Sequence, residues 1–194
     1  MPKRLYIAAA LCGLVVTTSA AAYKLKGYSW SYKPSPMGEP LTICTKGGPA
    51  GASDVIKRAA AVWNYKKFTF TFAPDRCLEH SPPNVDDNVN YVDFSLALPL
   101  HGLTAARNEQ GTVKTSECDI QFNPNRPWHV GSGPPPAGKF DLMSVAIHEL
   151  GHCLGLEDSD VADVVMDGTL PSGKMRRTLS ADDIAGRNKI YGAP

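Results

Sequence analysis

At 194 residues, 43% of them hydrophobic and 20% charged, the chain has enough material for one domain with a buried core and too little for two full ones. A formal net charge of +1 excludes the strongly basic balance of a polyanion binder. Without a basic patch interleaved with aromatics, nucleic-acid recognition has no support in the sequence.

The first residues have the plan of a secretory signal. Lys3 and Arg4 give a positive start, Leu5 to Val16 an apolar run, and Thr17 to Ala22 a small-residue exit. This divides the chain into a signal peptide, residues 1–22, and a mature domain, residues 23–194. The apolar run is shorter than the roughly 20 residues of a membrane-spanning helix, so no membrane anchor is expected. Cleavage would leave 18 basic residues against 19 acidic ones. The mature chain is expected to be a monomer outside the cytoplasm, extracellular or, in a two-membrane bacterium, periplasmic. Cys12 falls in the signal, leaving Cys44, Cys77, Cys118 and Cys153, an even number in an oxidising compartment. Spacing does not choose among their pairings; the expectation adopted is Cys44 with Cys77 and Cys118 with Cys153.

Turn-rich stretches at Gly27–Pro40, His80–Asn90 and Gly131–Gly138 punctuate the chain without an internal repeat. Leu41–Thr45 reads as a strand. Ser53 is placed to cap a helix in which Ile56, Ala59, Ala60 and Trp63 recur on one face. Phe68–Phe72 alternates Phe and Thr with the period of a strand, and Tyr91–Ala97 and Cys118–Phe122 read similarly. A helix is predicted over Leu142–Leu154 with Asp141 as its N-cap. Another opens at Ser180, with Asp183 three positions on as in a capping box, and runs to about Tyr191. Strands alternating with a few helices indicate an α/β or α+β domain.

Residues 148–158 read HELGHCLGLED. On a helix the four-residue step from His148 to His152 stacks both imidazoles on one face, a two-point metal clamp. Glu149 is rotated by about 100° from the first ligand, free to act on a water beside the metal. Catalytic zinc takes three protein ligands and keeps a fourth position open. No His follows His152 and no Glu follows Glu157, so a downstream third ligand is Glu157 or an aspartate. Gly155 can end the helix in a left-handed turn and bring the residue three positions on, Asp158, back to the metal. Asp160 and His101 remain the alternatives.

This pattern, H-E-x-x-H-x-x-G-x-x-[H/D] with a later methionine, resembles the metzincin signature, and its flanks resemble matrixins. Ser159 follows the third-ligand position as in that family, and Met166, within Val164–Asp167, stands where the Met-turn methionine would. Leu179–Gly192 is similar to the closing helix, and Asp119–Asn123 with Trp128 to the strand and tryptophan before the active-site helix. The resemblance implies a zincin fold, with a twisted, mostly parallel sheet and an antiparallel edge strand beside the active-site and C-terminal helices. It also implies one catalytic zinc on His148, His152 and Asp158, Glu149 as general base, and a protein or peptide substrate laid along Thr104, Ala105 and Ala106. Asp158 stands where matrixins carry His, a substitution shared with snapalysin-type proteases. The His- and Asp-rich segment that holds the matrixin structural zinc and calcium has no counterpart, so calcium is left open.

His80, His101 and His129 lack partners at metal-binding spacing and are given no role. The function read from the sequence is that of a secreted zinc endopeptidase. The competing reading is a non-catalytic secreted zinc protein that binds a partner or inhibits a protease. Glu149 favours chemistry, because a binding site has no use for a carboxylate on the water position.

Overall fold

The computed structural model describes residues 22–30, 40–73, 89–94 and 100–194. In chain order the elements are β1 (Leu41–Ile43), α1 (Ala52–Trp63), β2 (Asn90–Asp93), β3 (Gly102–Asn108), β4 (Thr115–Phe122), β5 (Trp128–His129), β6 (Phe140–Asp141), α2 (Leu142–Leu154) and α3 (Ala181–Tyr191). Four strands form a sheet in the order β1-β2-β4-β3, with β1, β2 and β4 parallel and β3 antiparallel at the edge. Strands β5 and β6 pair separately. This is the mixed, mostly parallel sheet with an antiparallel edge that the sequence led us to expect.

The core lies between the sheet and the helices α1 and α2. Val92, Cys118, Ile120 and Phe122 enter it from the sheet, and Ile56, Ala59, Ala60 and Trp63 from α1, all nearly or fully buried. Small alanines in α1 let the helix approach closely, while the Trp63 indole fills the gap and donates to the Ile147 carbonyl of α2 at 2.8 Å. A disulfide between Cys118 and Cys153 ties the central strand β4 to α2. Cys44 is also disulfide-bonded, and Cys77 lies outside the described residues.

Two sequence expectations need correction, and a third is followed only in part. Helix α1 is entered through Gly51, in the left-handed conformation, with no side-chain cap; Ser53 lies inside its first turn, because the Gly51 carbonyl already accepts from the Val55 amide. Phe68–Phe72 is an extended run between isolated bridges, not a strand of the sheet. Its alternation buries Phe68 and Phe70, but the Phe70 amide is taken by the Asn64 side chain at 2.8 Å, so no continuous ladder forms. Strand β2 ends at Asp93, and residues 95–97 of the expected Tyr91–Ala97 strand fall outside the described residues.

Helix α2 has defined stops at both ends. Asp141, fully buried, accepts from the Ser144 amide at 2.9 Å and pairs with Arg177, which also donates to the Gly131 and Ser132 carbonyls. At the other end Gly155, with φ at 101°, reverses the chain: its amide bonds the His152 carbonyl and the Leu156 amide bonds that of Gly151. A Cβ at this glycine would meet the Tyr28 carbonyl oxygen at 2.3 Å. The remaining last-turn carbonyls are satisfied from afar. The Trp30 indole donates to Cys153, and the Tyr191 hydroxyl to Leu154, each at 2.8 Å, while the Tyr28 hydroxyl adds a second bond to His152 at 3.1 Å. A helix end buried without such partners would be costly.

Helix α3 carries the expected capping box between Ser180 and Asp183. Its neighbour Asp182 accepts from the Ala22 and Tyr23 amides, both at 2.9 Å, and from the Ser159 hydroxyl at 2.8 Å.

Because the Cys118–Cys153 bridge closes a separation of 35 residues between buried positions, replacing both cysteines by alanine should lower stability by about 3–4 kcal/mol. Denaturant unfolding of the double variant against the parent chain measures this.

Candidate metal centre

Helix α2 projects His148 and His152 from one face, their ring centroids 4.6 Å apart. Each ring is fixed by a backbone carbonyl that can only accept. His148 Nδ1 donates to the Val165 carbonyl at 3.0 Å, and His152 Nδ1 to that of Leu156 at 2.8 Å. Both Nε2 atoms therefore point away from these bonds, toward Asp158. Asp158 Oδ1 lies 3.3 Å from His148 Nε2 and 3.4 Å from His152 Nε2, and the three candidate ligand atoms all lie within 4.8 Å of one another. Two imidazoles and one carboxylate, each offering one atom around a common point, suit a zinc ion that retains an open position. Among the described residues this is the group that could hold a metal.

In the protein without metal the two imidazoles and the carboxylate contact one another directly. Hydrogen bonds from His148 and then His152 hold the Asp158 carboxyl far below the usual carboxylate range, outweighing the opposing effect of burial. Burial pushes the His148 imidazole down, but the bond to Asp158 and the charge of Glu149 raise it above its ordinary value. A metal cation would replace the protons as the partner of Asp158.

Glu149 is buried at 5% exposure, and its carboxylate rests on the edge strand. The Thr104 hydroxyl lies 2.6 Å from Glu149 Oε2, its donor geometry favouring the charged acceptor over the Glu149 carbonyl at 3.1 Å. A Cβ at Gly102 would meet Glu149 Oε1 at 2.6 Å, so the carboxylate occupies space left by a missing side chain. The sequence placed Thr104, Ala105 and Ala106 on an edge strand, and they do lie there, but Thr104 turns its hydroxyl to Glu149. Gly102 was not anticipated. The bond between Thr104 and Glu149 spans 45 residues and leaves no local signal.

Met166, 2% exposed, packs beneath α2. A Cβ at Gly151 would meet its Sδ at 2.3 Å and Trp63 Cζ2 at 2.9 Å. The turn carrying Met166 is held by Asp183, whose buried carboxylate accepts from the Val165 and Met166 amides at 3.2 and 3.0 Å and from the Ser180 amide at 2.7 Å. Since Val165 also receives His148 Nδ1–H, the cap of α3 orients a candidate ligand of α2 through one short turn. On the far side Gly168 abuts Asp158: a Cβ there would meet Oδ2 at 2.9 Å.

His148, Glu149, His152 and Asp158 line a cleft of ≈ 530 Å³ between the edge strand at Gly102–Thr104 and the loop Asp167–Pro171. His101 also lines it but is not among the grouped donors. Its ring stacks on Phe140 with centroids 4.0 Å apart, and burial, followed by the charge of Arg126, lowers its pKa. Asp160, the other alternative third ligand, pairs with Lys24 at 2.5 Å in an exposed position. His129 Nε2 contacts the Gly133 carbonyl, and His80 lies outside the described residues.

The comparison with known proteins agrees with this geometry. The family model described as Matrixin matches residues 50–192, and the chain belongs to the matrixin family. It is similar to Matrix metalloproteinase-16 of Homo sapiens, at 30% identity over 185 residues, covering 89% of this chain and 29% of the human protein. It is also similar to Metalloendoproteinase 2-MMP of Arabidopsis thaliana, at 47% identity over 53 residues, 27% of this chain and 14% of that protein. Stromelysin-3 of Xenopus laevis is 37% identical over 78 residues, 40% of this chain and 15% of that protein. The chain thus spans less than a third of the length of these relatives.

Substituting Gly151 by alanine forces Met166 and Trp63 apart, and should destabilise the protein by about 1–3 kcal/mol, as overpacking of a close-packed core does. Thermal unfolding detects the change, and a stability equal to the parent's would contradict the packing described.

Proposed function

We propose that the chain is a secreted, zinc-dependent endopeptidase in which residues 1–22 are a signal peptide, His148, His152 and Asp158 hold one zinc ion, and Glu149 is the general base. The observation that carries this reading is the meeting of three ligand atoms within 4.8 Å beside a buried carboxylate aligned by Thr104. Membership of the matrixin family and the metalloproteinase and metalloendoproteinase names of the human and Arabidopsis relatives support it. No helix of the described residues is long and apolar enough to cross a membrane.

Zinc, when bound, supplies Lewis acidity, acidifying water and drawing electron density from a carbonyl. The protein's own contribution follows from its side chains. His148 and His152, with Nδ1 committed to carbonyls, present neutral Nε2 lone pairs, and Asp158 adds one negative charge. Thr104 occupies Glu149 Oε2, leaving Oε1 to take a proton from the attacking water and return it to the departing amine nitrogen. Among the described residues β3 is an edge of the sheet, and a protein or peptide substrate can lie extended along its Thr104, Ala105 and Ala106. The aspartate offsets more of the metal charge than a third imidazole would, so a weaker Lewis acid is expected than in a three-histidine site.

The test joins metal content to cleavage. The purified mature chain should bind one zinc and clear casein, and a chelator should abolish clearing. Glu149→Ala should retain zinc and lose activity by about 10²–10⁴-fold. Asp158→Ala should weaken zinc affinity by at least the about 10–100-fold that follows loss of a mere supporting partner. Unchanged affinity there moves the third ligand elsewhere, and full zinc without cleavage supports the non-catalytic zinc-binding protein instead.

A further inference from the structure

The loop that lines the cleft at Asp167–Pro171 lies outside the named helices and strands; its start is fastened by the Ser159–Asp167 bridge and the bond from the Asp167 amide to the Val164 carbonyl, and one guanidinium ties it toward α2. Arg176 Nη1 donates to the carbonyls of Thr169 and Asp167, and Nη2 lies 2.9 Å from Asp167 Oδ2 and 3.2 Å from Asp163 Oδ1. The Arg176 backbone amide donates to Ser144 Oγ at 2.7 Å, and that hydroxyl donates in turn to the α2 cap, Asp141, at 2.6 Å. Side-chain exposure of 11% for Arg176 and 16% for Asp167 marks this pair as the ordered part of the knot, whereas Asp163, at 92%, lies in water and adds little.

The arrangement gives Arg176 a task that the ligands and Glu149 do not perform. Its fork spans two carbonyls and one carboxylate of the loop, while its own backbone is pinned to the first turn of α2. The width of the cleft between the loop and the helix therefore depends on this residue, which itself lines the cleft. The two histidines are oriented by the Val165 and Leu156 carbonyls and Glu149 by Thr104, whereas Asp158 packs against Gly168 of the loop, which is why zinc content is followed alongside activity. Lysine keeps the charge but cannot reach several acceptors in one plane.

We propose that Arg176 is a positioning residue that sets substrate specificity: by holding the 167–171 loop against α2 it shapes the subsite receiving the side chain next to the scissile bond. This rests on the peptidase reading. In Arg176→Ala the loop relaxes, KM for a preferred peptide rises by about tenfold, equivalent to about 1.4 kcal/mol of binding, and kcat stays within about twofold. Selectivity across peptides that differ only beside the scissile bond flattens. Arg176→Lys is intermediate, and adding Asp167→Asn to Arg176→Ala costs less than Asp167→Asn alone, because both act through one contact.

The experiment measures kcat and KM separately over such a peptide panel for the zinc-loaded parent and the three variants, with zinc content and thermal unfolding recorded for each. Unchanged KM and selectivity in Arg176→Ala, a fall in kcat accompanied by zinc loss, or full additivity with Asp167→Asn overturns the proposal. If the parent cleaves nothing, the peptidase reading fails by itself. The role of Arg176 is then read from the affinity of labelled casein peptides for Glu149→Gln protein with and without Arg176→Ala: weaker binding supports it and equal binding overturns it.

Discussion

Much of this structure depends on where and how α2 stops. The helix must end immediately after its second candidate ligand, or Asp158 would continue along the helix axis and never return to face the histidines. Gly155 achieves the reversal in a single left-handed residue, and its missing side chain also admits the Tyr28 carbonyl at a distance that no Cβ would tolerate. Once the chain has turned, the Leu156 carbonyl is in place to orient His152, and Asp158 reaches both imidazoles. The stop thus creates the third donor and orients the second with the same few atoms.

Absent side chains shape the remainder of the site. Gly102 makes room for the Glu149 carboxylate, Gly151 for the Met166 sulfur, and Gly168 for Asp158. Each charged or polarisable group therefore sits against backbone, where its position is set by elements that move little. The polar supports are similarly short: Thr104 for Glu149, Val165 for His148, and Asp183 for the turn beneath. A buried carboxylate such as Asp183 is stabilising only because backbone amides satisfy it.

What could be read from the sequence was whatever has a local signature. The caps Asp141 and Ser180–Asp183, the stop at Gly155 and the four-residue histidine step all lie within a few positions of what they control, and the structure has α2 and α3 where these signals put them. The alternation of apolar runs and turns indicated an α/β or α+β domain, while the mostly parallel sheet with its antiparallel edge was what the family resemblance implied. The failures have a common cause in contacts that cross the chain. Nothing near Phe70 reveals that Asn64 will capture its amide, and Gly51 overrides Ser53 because a carbonyl two residues earlier already begins the ladder. Nothing near Thr104 announces its bond to Glu149, which forms only when β3 is laid over α2. The Arg176 knot was invisible for the same reason.

The last turn of α2 is completed by Tyr28 and Trp30 from one extreme of the described chain and by Tyr191 from the other. Asp182 clasps Ala22 and Tyr23 across a separation of up to 160 residues. Such contacts carry a high loop-closure cost, because they join segments far apart in the sequence. On the ribosome, then, the histidine-bearing helix emerges well before its own end can be sealed. A nascent chain lacking α3 holds the motif without its finished surroundings, and the order of synthesis itself delays assembly of the site until α3 has followed the histidines out.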